Sequence, residues 1–268
     1  MELTEYNGGV LLRETAHFDP RAIFECGQCF RYERAGEDAY AVIACGRRLV
    51  VRRTERGIFF EDIRLAEFRR GFYDYFDLGR DYGRVIETLS SDPVLRRAAE
   101  RGSGIRLLRQ DSWEALASFI FSQNNNIPRI KKIIAAFCGL LGEAATDGSR
   151  LFPTPEAVVR AGVDGLAPIR SGFRAGYIYD AACRICDGRI SLGKIASMPY
   201  ADAKKALMEI RGVGPKVADC ALLFGFEFYE AFPVDVWMKK AVGRWYGPDF
   251  SPERFGAYAG FAQQYLFY

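Results

Sequence analysis

Ala203, Ala206, Leu207 and Ile210 recur three or four residues apart, as one face of a helix requires, and Gly212 and Gly214 then interrupt the pattern. Pro215 follows, and proline is well tolerated at the first position of a new helix, where its missing N–H would have no partner anyway. The spacing therefore predicts a helix, a tight glycine turn and a second helix, with Lys216 in the first turn of the second. The stretch from Leu207 to Trp237 is the part around which the rest of the chain has to be arranged.

Two consequences follow from that placement. Glycines at a helix start let a ligand approach the backbone, and the unpaired N–H groups there, at the positive end of the dipole, suit an anion such as a phosphodiester. The same dipole disfavours a cation, so the Lys216 ammonium is expected to have its pKa lowered toward neutrality, which would leave a nucleophilic amine. Downstream, Phe232-Pro233-Val234-Asp235 places an aspartate where the next helix, over 236–245, is predicted to begin. Asp235 can cap that helix and stay ionised. An amine and a fixed carboxylate are expected to flank one site.

With 268 residues and an apolar-plus-aromatic share of 49%, the chain is long enough for one large domain or two ordinary ones and is not disordered. The net charge of +3 does not announce a nucleic-acid partner, so any basic face must come from local clusters. No apolar run reaches the length of a membrane span, and the Met1 to Thr4 start lacks the features of a signal peptide; a cytoplasmic protein, without a targeting signal and reaching the nucleoid only through DNA, is expected. Seven cysteines argue against a disulfide framework. The pairs Cys26/Cys29 and Cys183/Cys186 have zinc-like spacing but lie far apart, and the second falls within a helical pattern, so no metal and no cofactor are expected. The single histidine, His17, leaves little room for mechanisms built on several imidazoles.

In chain order, residues 9–62 read as short extended segments. Tyr40 to Ala44, Leu49 to Val51 and Ile58 to Phe60, separated by turns at Cys45-Gly46 and Glu55 to Gly57, predict an antiparallel meander. Asp19-Pro20-Arg21 suits a short helix start. Beyond Asp62 the pattern is helical, with helices predicted over 64–76, 81–88, 92–101, 111–122, 128–140, 155–161, 175–187, 201–210, 215–224, 235–245 and 252–265. The expected class is α+β: an N-terminal antiparallel sheet domain over 1–95, then an all-α domain over 96–268.

Four consecutive amides, Gln123 to Asn126, break a strongly apolar helix just before Pro128, and such side chains can read base edges as readily as they can form a polar loop. Asn124 and Arg129 are candidates for base reading. The glycine-flanked run Arg170 to Ala175 offers Phe173 between arginines, a residue that could wedge between bases or simply be buried. Gln263 and Phe267 share a face of the last helix, where an amide needs a partner, whether protein, water or ligand.

These residues resemble the helix-hairpin-helix glycosylase superfamily of base-excision repair, on Gly212-Val213-Gly214-Pro215-Lys216 followed by Asp235 within Pro-Val-Asp. The runs Lys216 to Cys220 and Pro233 to Val236, with Gly27 to Arg31, Asn124 to Arg129, Gly172 to Ala175 and Phe261 to Phe267, are similar to the 8-oxoguanine DNA glycosylase branch in order along nearly the whole chain. The resemblance implies an N-terminal sheet like that of the TATA-box-binding protein and excision of 8-oxoguanine opposite cytosine. It implies Lys216 as nucleophile on the sugar C1′ and Asp235 as the carboxylate that stabilises the reacting sugar. Gly27, Cys220, Gln263 and Phe267 would line the base pocket, with the Gly27 carbonyl accepting from the N7–H that marks the oxidised base. Asn124, Arg129 and Arg174 would fill the vacated stack and read the orphaned cytosine, Phe173 would be the wedge, and Gly212 and Gly214 would meet phosphate. Trp237 stands where relatives can carry a histidine near a phosphate, so that contact is not expected here.

The implied partner is double-stranded DNA containing 8-oxoguanine, met by a monomer without a membrane, and the implied activity joins base excision to strand cleavage by β-elimination. Two other readings stay open on the residues: a glycosylase of the same superfamily acting on alkylated bases, and a non-catalytic hairpin module that only grips phosphate.

Overall fold

The computed structural model describes residues 2–268. Six strands form one antiparallel sheet in the order β1-β2-β6-β5-β4-β3: β1 (Glu2–Tyr6), β2 (Gly9–Arg13), β3 (Tyr32–Gly36), β4 (Ala39–Ala44), β5 (Arg47–Thr54) and β6 (Gly57–Phe60). The predicted meander is β4 to β6. Two-residue turns set the register of two pairs in the sheet, β1 with β2 and β4 with β5: Asn7-Gly8 and Cys45-Gly46 both have positive φ at each residue, the mirror-image turn whose twist matches flanking strands. The pairing of β1 with β2 extends the sheet to residues that the sequence pattern left unassigned.

Alternation along the strands sends Val10, Leu12, Tyr40, Val42, Leu49, Val51, Ile58 and Phe60 into one buried cluster. The helices that close it are α1 (Pro20–Glu25), capped by the Asp19 carboxylate, and α2 (Leu65–Arg70) and α3 (Phe72–Tyr75), which supply Phe24, Phe68 and Phe72. Each such aromatic contributes roughly 1.5–3 kcal/mol by leaving water. The predicted helix over 64–76 is divided at Gly71, whose φ of −139° and ψ of −64° are not helical. Next come α4 (Tyr82–Leu89) and α5 (Pro93–Arg101), capped by Asp81 and Asp92.

The helical middle of the chain holds α6 (Ser112–Ser122), α7 (Ile127–Leu141), α8 (Pro155–Gly165), α9 (Arg174–Cys186), α10 (Leu192–Ile195), α11 (Tyr200–Met208) and α12 (Pro215–Gly225). Helix α6 and the last two turns of α12 are apolar and buried nearly all round, and they cross closely at Gly225, where an added Cβ would lie 2.7 Å from that of Ala115. The Ser112 hydroxyl donates to the Gly225 carbonyl at 2.7 Å and locks that crossing. The chain ends with α13 (Val236–Tyr246), a 3-10 segment over Pro252–Tyr258 and α14 (Ala259–Phe267). One helix was predicted over 252–265, and Gly256, at φ 52° and ψ −133°, breaks it.

The chain divides into two compact units, Met1–Arg109 with Val234–Tyr268, and Gln110–Pro233. That division differs from the expected 1–95 and 96–268: the first unit runs on to Arg109 and also holds residues 234–268. Arg106 belongs to this extension of the first unit. It is fully buried, lies 4.0 Å over the Tyr82 ring, and its guanidinium donates to the carbonyls of Phe76 at 2.8 Å, His17 at 3.1 Å and Asp77. Among the described residues no helix is long and apolar enough to cross a membrane.

Candidate active site

In the second unit, α11 ends at Met208 and the turn through Gly212 leads into α12, as predicted. The two turn glycines differ in what they require. Gly212 has φ +80°, and a Cβ there would stand 2.2 Å from the Tyr177 ring, so nothing larger fits. Gly214, the extended N-cap of α12, has nothing within 4 Å of such a position, and no side chain caps the helix. The first N–H groups of α12 are thus left open beside an uncluttered backbone.

Lys216 is half-buried in the first turn, with Nζ 5.3 Å from the centre of the Phe119 ring and no carboxylate partner within its own unit. Cys220 is one turn further along and buried. Asp219, on the same helix, is buried too. Its carboxylate accepts from the Tyr200 hydroxyl at 2.6 Å and from Lys204 Nζ at 2.8 Å. Burial raises the Asp219 pKa, and these two donors oppose the rise. The network ties α11 to α12 and so fixes the setting of the helix that carries Lys216, a role for which its position in the sequence offered no signal.

The amide run forms the expected break. Asn126 caps α7 by accepting from Arg129 N–H at 3.0 Å, and Asn124 is exposed with φ +46°. Phe173 is 52% exposed. Arg174, expected to read the orphaned cytosine, bonds extensively to the protein's own backbone. Its side chain is buried; Nε donates to Gln123 O at 2.8 Å, one terminal nitrogen to Ser171 O at 3.1 Å, and the other to Gln123 O and to Asn124 O, the latter at 3.0 Å. Its guanidinium also lies 4.4 Å from the Phe173 ring centre. Four of its five N–H groups are committed to carbonyls, so Arg174 clamps the Asn124 loop under the exposed phenyl ring. Burial and the nearby charge of Arg129 hold its pKa below the usual arginine value. Arg129 itself is exposed.

In the first unit, Asp235 is the N-cap of α13, as expected. Its Oδ1 accepts from Met238 N–H at 2.7 Å, leaving the second carboxylate oxygen with no hydrogen bond among the described residues. Trp237 is 73% exposed, with Lys240 Nζ 5.2 Å from its ring. Gly27 and Phe267 are brought together. Gly27 has φ +80°, and a Cβ there would lie 3.3 Å from Phe267 Cε1. Gln263 is buried, and its Oε1 has no partner among the described residues. An unpaired buried amide oxygen is costly unless a ligand completes it.

Gln28 and Gln264 were missed as parts of this arrangement. The Gln28 amide donates to Ile23 O and Arg106 O at 2.8 Å each and accepts from Leu108 N–H at 2.8 Å. Gln264 donates to Cys26 O at 2.8 Å. Among the described residues no group of three or more histidine, cysteine, aspartate or glutamate side chains could hold a metal ion.

Comparison with known proteins fits this geometry. The N-terminal domain model of 8-oxoguanine DNA glycosylase matches residues 10–116, and the HhH-GPD superfamily base excision DNA repair model matches residues 117–255. The chain belongs to the 8-oxoguanine DNA glycosylase family. A probable N-glycosylase/DNA lyase of Methanothermobacter thermautotrophicus is 30% identical over 251 residues, 80% of each chain. Among solved structures, the Clostridium acetobutylicum 8-oxoguanine glycosylase/lyase, in complex with double-stranded DNA containing cytosine opposite 8-oxoguanine, is 38% identical with a TM-score of 0.92. That match covers all of this chain and 96% of the other. The structure of MBOgg1 with a low-affinity DNA ligand is 42% identical, TM-score 0.93, covering 99% of this glycosylase family member and 96% of that chain.

Proposed function

We propose that this protein excises 8-oxoguanine opposite cytosine from duplex DNA and then cleaves the strand, using Lys216 as nucleophile. The observation that carries the reading is Lys216 itself: a half-buried amine in the first turn after the glycine hairpin, free of any carboxylate within its unit. A lysine that only gripped phosphate would gain nothing from partial burial, whereas a nucleophile must be reached by substrate and kept from bulk water.

The chemistry runs in balanced steps. The damaged nucleotide is flipped out of the stack, since its glycosidic bond is otherwise inaccessible. The lone pair of Lys216 Nζ forms a bond to C1′ as the bond to the base nitrogen breaks, and the base departs with that electron pair. Positive charge gathers on the sugar as this happens, and the Asp235 carboxylate, with one oxygen uncommitted, stabilises it. The ammonium formed at C1′ gives one proton to the departing base and a second to O4′ as the C1′–O4′ bond breaks with its pair on oxygen, leaving the C1′=Nζ imine, whose protonated form acidifies the C2′ proton. Loss of that proton drives out the 3′ phosphate and breaks the strand. Phosphates on either side are held by the N–H groups of Gly212, Gly214 and Lys216 and by basic side chains.

Gly27, Cys220, Gln263 and Phe267 are assigned to the base pocket. Gly27 O accepts from the N7–H of the oxidised base, and the unpaired Gln263 Oε1 offers an acceptor to the purine's Watson–Crick edge. Asn124 and Phe173 fill the vacated stack. Arg129, exposed, reads the orphaned cytosine, and Arg174 contributes the one guanidinium N–H that its carbonyl bonds leave over, while holding the Asn124 loop in place.

The test of the whole reading is reductive trapping. Borohydride added to the protein with an 8-oxoguanine:cytosine duplex is expected to give a covalent protein–DNA adduct on a denaturing gel, and absence of the adduct rejects the reading. The opposite-base assignment is checked separately. Arg129→Ala and Arg174→Lys are each expected to reduce the preference for cytosine over the other three opposing bases by a factor equivalent to about 1–3 kcal/mol. Single-turnover excision rates on the four duplexes report it, and unchanged ratios refute these roles.

A further inference from the structure

Gly27 sits in a turn whose two sides are held by different glutamines. On the downstream side, the buried Gln28 amide ties the chain to Ile23 O, Arg106 O and Leu108 N–H. On the upstream side, the carbonyl of the Cys26–Gly27 peptide accepts from Gln264 Nε2 at 2.8 Å, a contact spanning 238 residues of sequence and 2% exposed at the glutamine. The carbonyl of Gly27 itself accepts nothing from the described residues. Its direction is set by the peptide planes on either side, because a glycine at φ +80° has no side chain to lock it.

Gln264 also lies three residues before Phe267, on the same flank of α14, and the Phe267 ring faces Gly27. One amide therefore ties together the two elements that carry the pocket's acceptor and its aromatic wall. Gln263, next to it, is buried with an unpaired oxygen, so these neighbouring amides have divided roles: one is completed by the protein's own backbone and the other is left for a ligand.

We propose that Gln264 is a positioning residue for lesion discrimination: by holding the Cys26 carbonyl it aims the Gly27 carbonyl, and so sets the preference for 8-oxoguanine over guanine. The proposal rests on the function given above. Guanine presents a lone pair at N7 where the oxidised base presents N–H, so a fixed carbonyl repels one and bonds the other. A carbonyl free to swing does neither. Gln264 touches no reacting atom, and a preformed abasic site has no base for it to influence.

The experiment compares wild type with Gln264→Leu, which keeps the bulk and removes the donor. Affinities are measured for duplexes carrying 8-oxoguanine or guanine opposite cytosine, each on an uncleavable 2′-fluoro sugar, alongside strand cleavage at a preformed abasic site. The 8-oxoguanine-to-guanine affinity ratio is expected to fall by about tenfold, the range of one lost buried hydrogen bond, with abasic-site cleavage within about twofold of wild type. An unchanged ratio, or cleavage falling in step with it, overturns the proposal. Gln264→Glu supplies a second check, since a neutral carboxyl can donate to Cys26 O and an ionised one cannot. Its ratio is expected to recover as pH is lowered and to be lost as pH rises; a ratio low and flat across pH overturns the proposal. A wild-type protein that shows no preference for 8-oxoguanine, yet cleaves abasic sites, removes the reading on which the proposal depends, and is told apart from the variant result by the wild-type arm alone.

Discussion

Lys216→Gln is expected to give no borohydride-trapped adduct and to lower single-turnover excision of 8-oxoguanine by on the order of 10⁴. Glutamine keeps nearly the reach of lysine and is a good helix former, so α12 should be retained. What it lacks is an amine able to form an imine. The contact of Nζ with the Phe119 ring, 5.3 Å from its centre, is lost as well, but such a half-exposed cation–aromatic pair contributes only about 0.5–1 kcal/mol. Affinity for the lesion duplex should therefore stay within a few-fold of wild type while chemistry disappears. Trapping on a denaturing gel and a binding titration measure the two separately. An undiminished adduct would transfer the nucleophile to another residue.

Asp235→Asn is expected to separate capping from catalysis. Asparagine caps a helix about as well as aspartate, so the bond now made to Met238 N–H at 2.7 Å should persist and the melting temperature should move little. The charge, however, is gone. If Asp235 stabilises the cationic sugar, base excision should fall by about 10²–10³, the scale of removing one preorganised electrostatic group. The informative comparison is excision rate against thermal stability in the same preparation. A variant that processes lesion DNA at the wild-type rate would leave Asp235 as a cap and favour the hairpin as a mere phosphate grip.

The residues that were legible in the sequence are those whose signal is local. Helix α12 announces itself through Gly212, Gly214 and Pro215, and Asp235 through the cap position before Val236. The β4–β5 turn is readable because Cys45-Gly46 interrupts apolar alternation. What stayed hidden depends on partners far away in the sequence. Arg174 looks like any arginine beside a loop, and its commitment to the carbonyls of Gln123 and Asn124, about fifty positions earlier, leaves no trace in composition or spacing. Backbone acceptors are present at every residue, so a side chain that bonds to them cannot be told from a free one by pattern.

Gln263 and Gln264 make the same point at closer range. Both are buried amides on one helix, and resemblance singled out the first while passing over the second. Only in the folded chain does the second meet Cys26 O while the oxygen of the first meets none of the described residues. The grouping of residues 234–268 with the first unit was hidden for a related reason. Helical periodicity continues through α13 and α14 without a break in composition, so nothing in the pattern says that these helices pack with the sheet-bearing residues rather than with the helices preceding them.

That return of residues 234–268 to the first unit has a consequence for how the protein is born. On the ribosome, residues 110–233 emerge as one continuous unit, whereas the sheet-bearing unit, made as far as Arg109, must wait until residues 234–268 follow, a delay of roughly 8–30 s at about 5–20 residues per second. Until then Cys26 O has no glutamine to meet. Nascent chains stalled just short of the terminus should accordingly resist protease across the middle of the sequence while remaining open to it at both flanks.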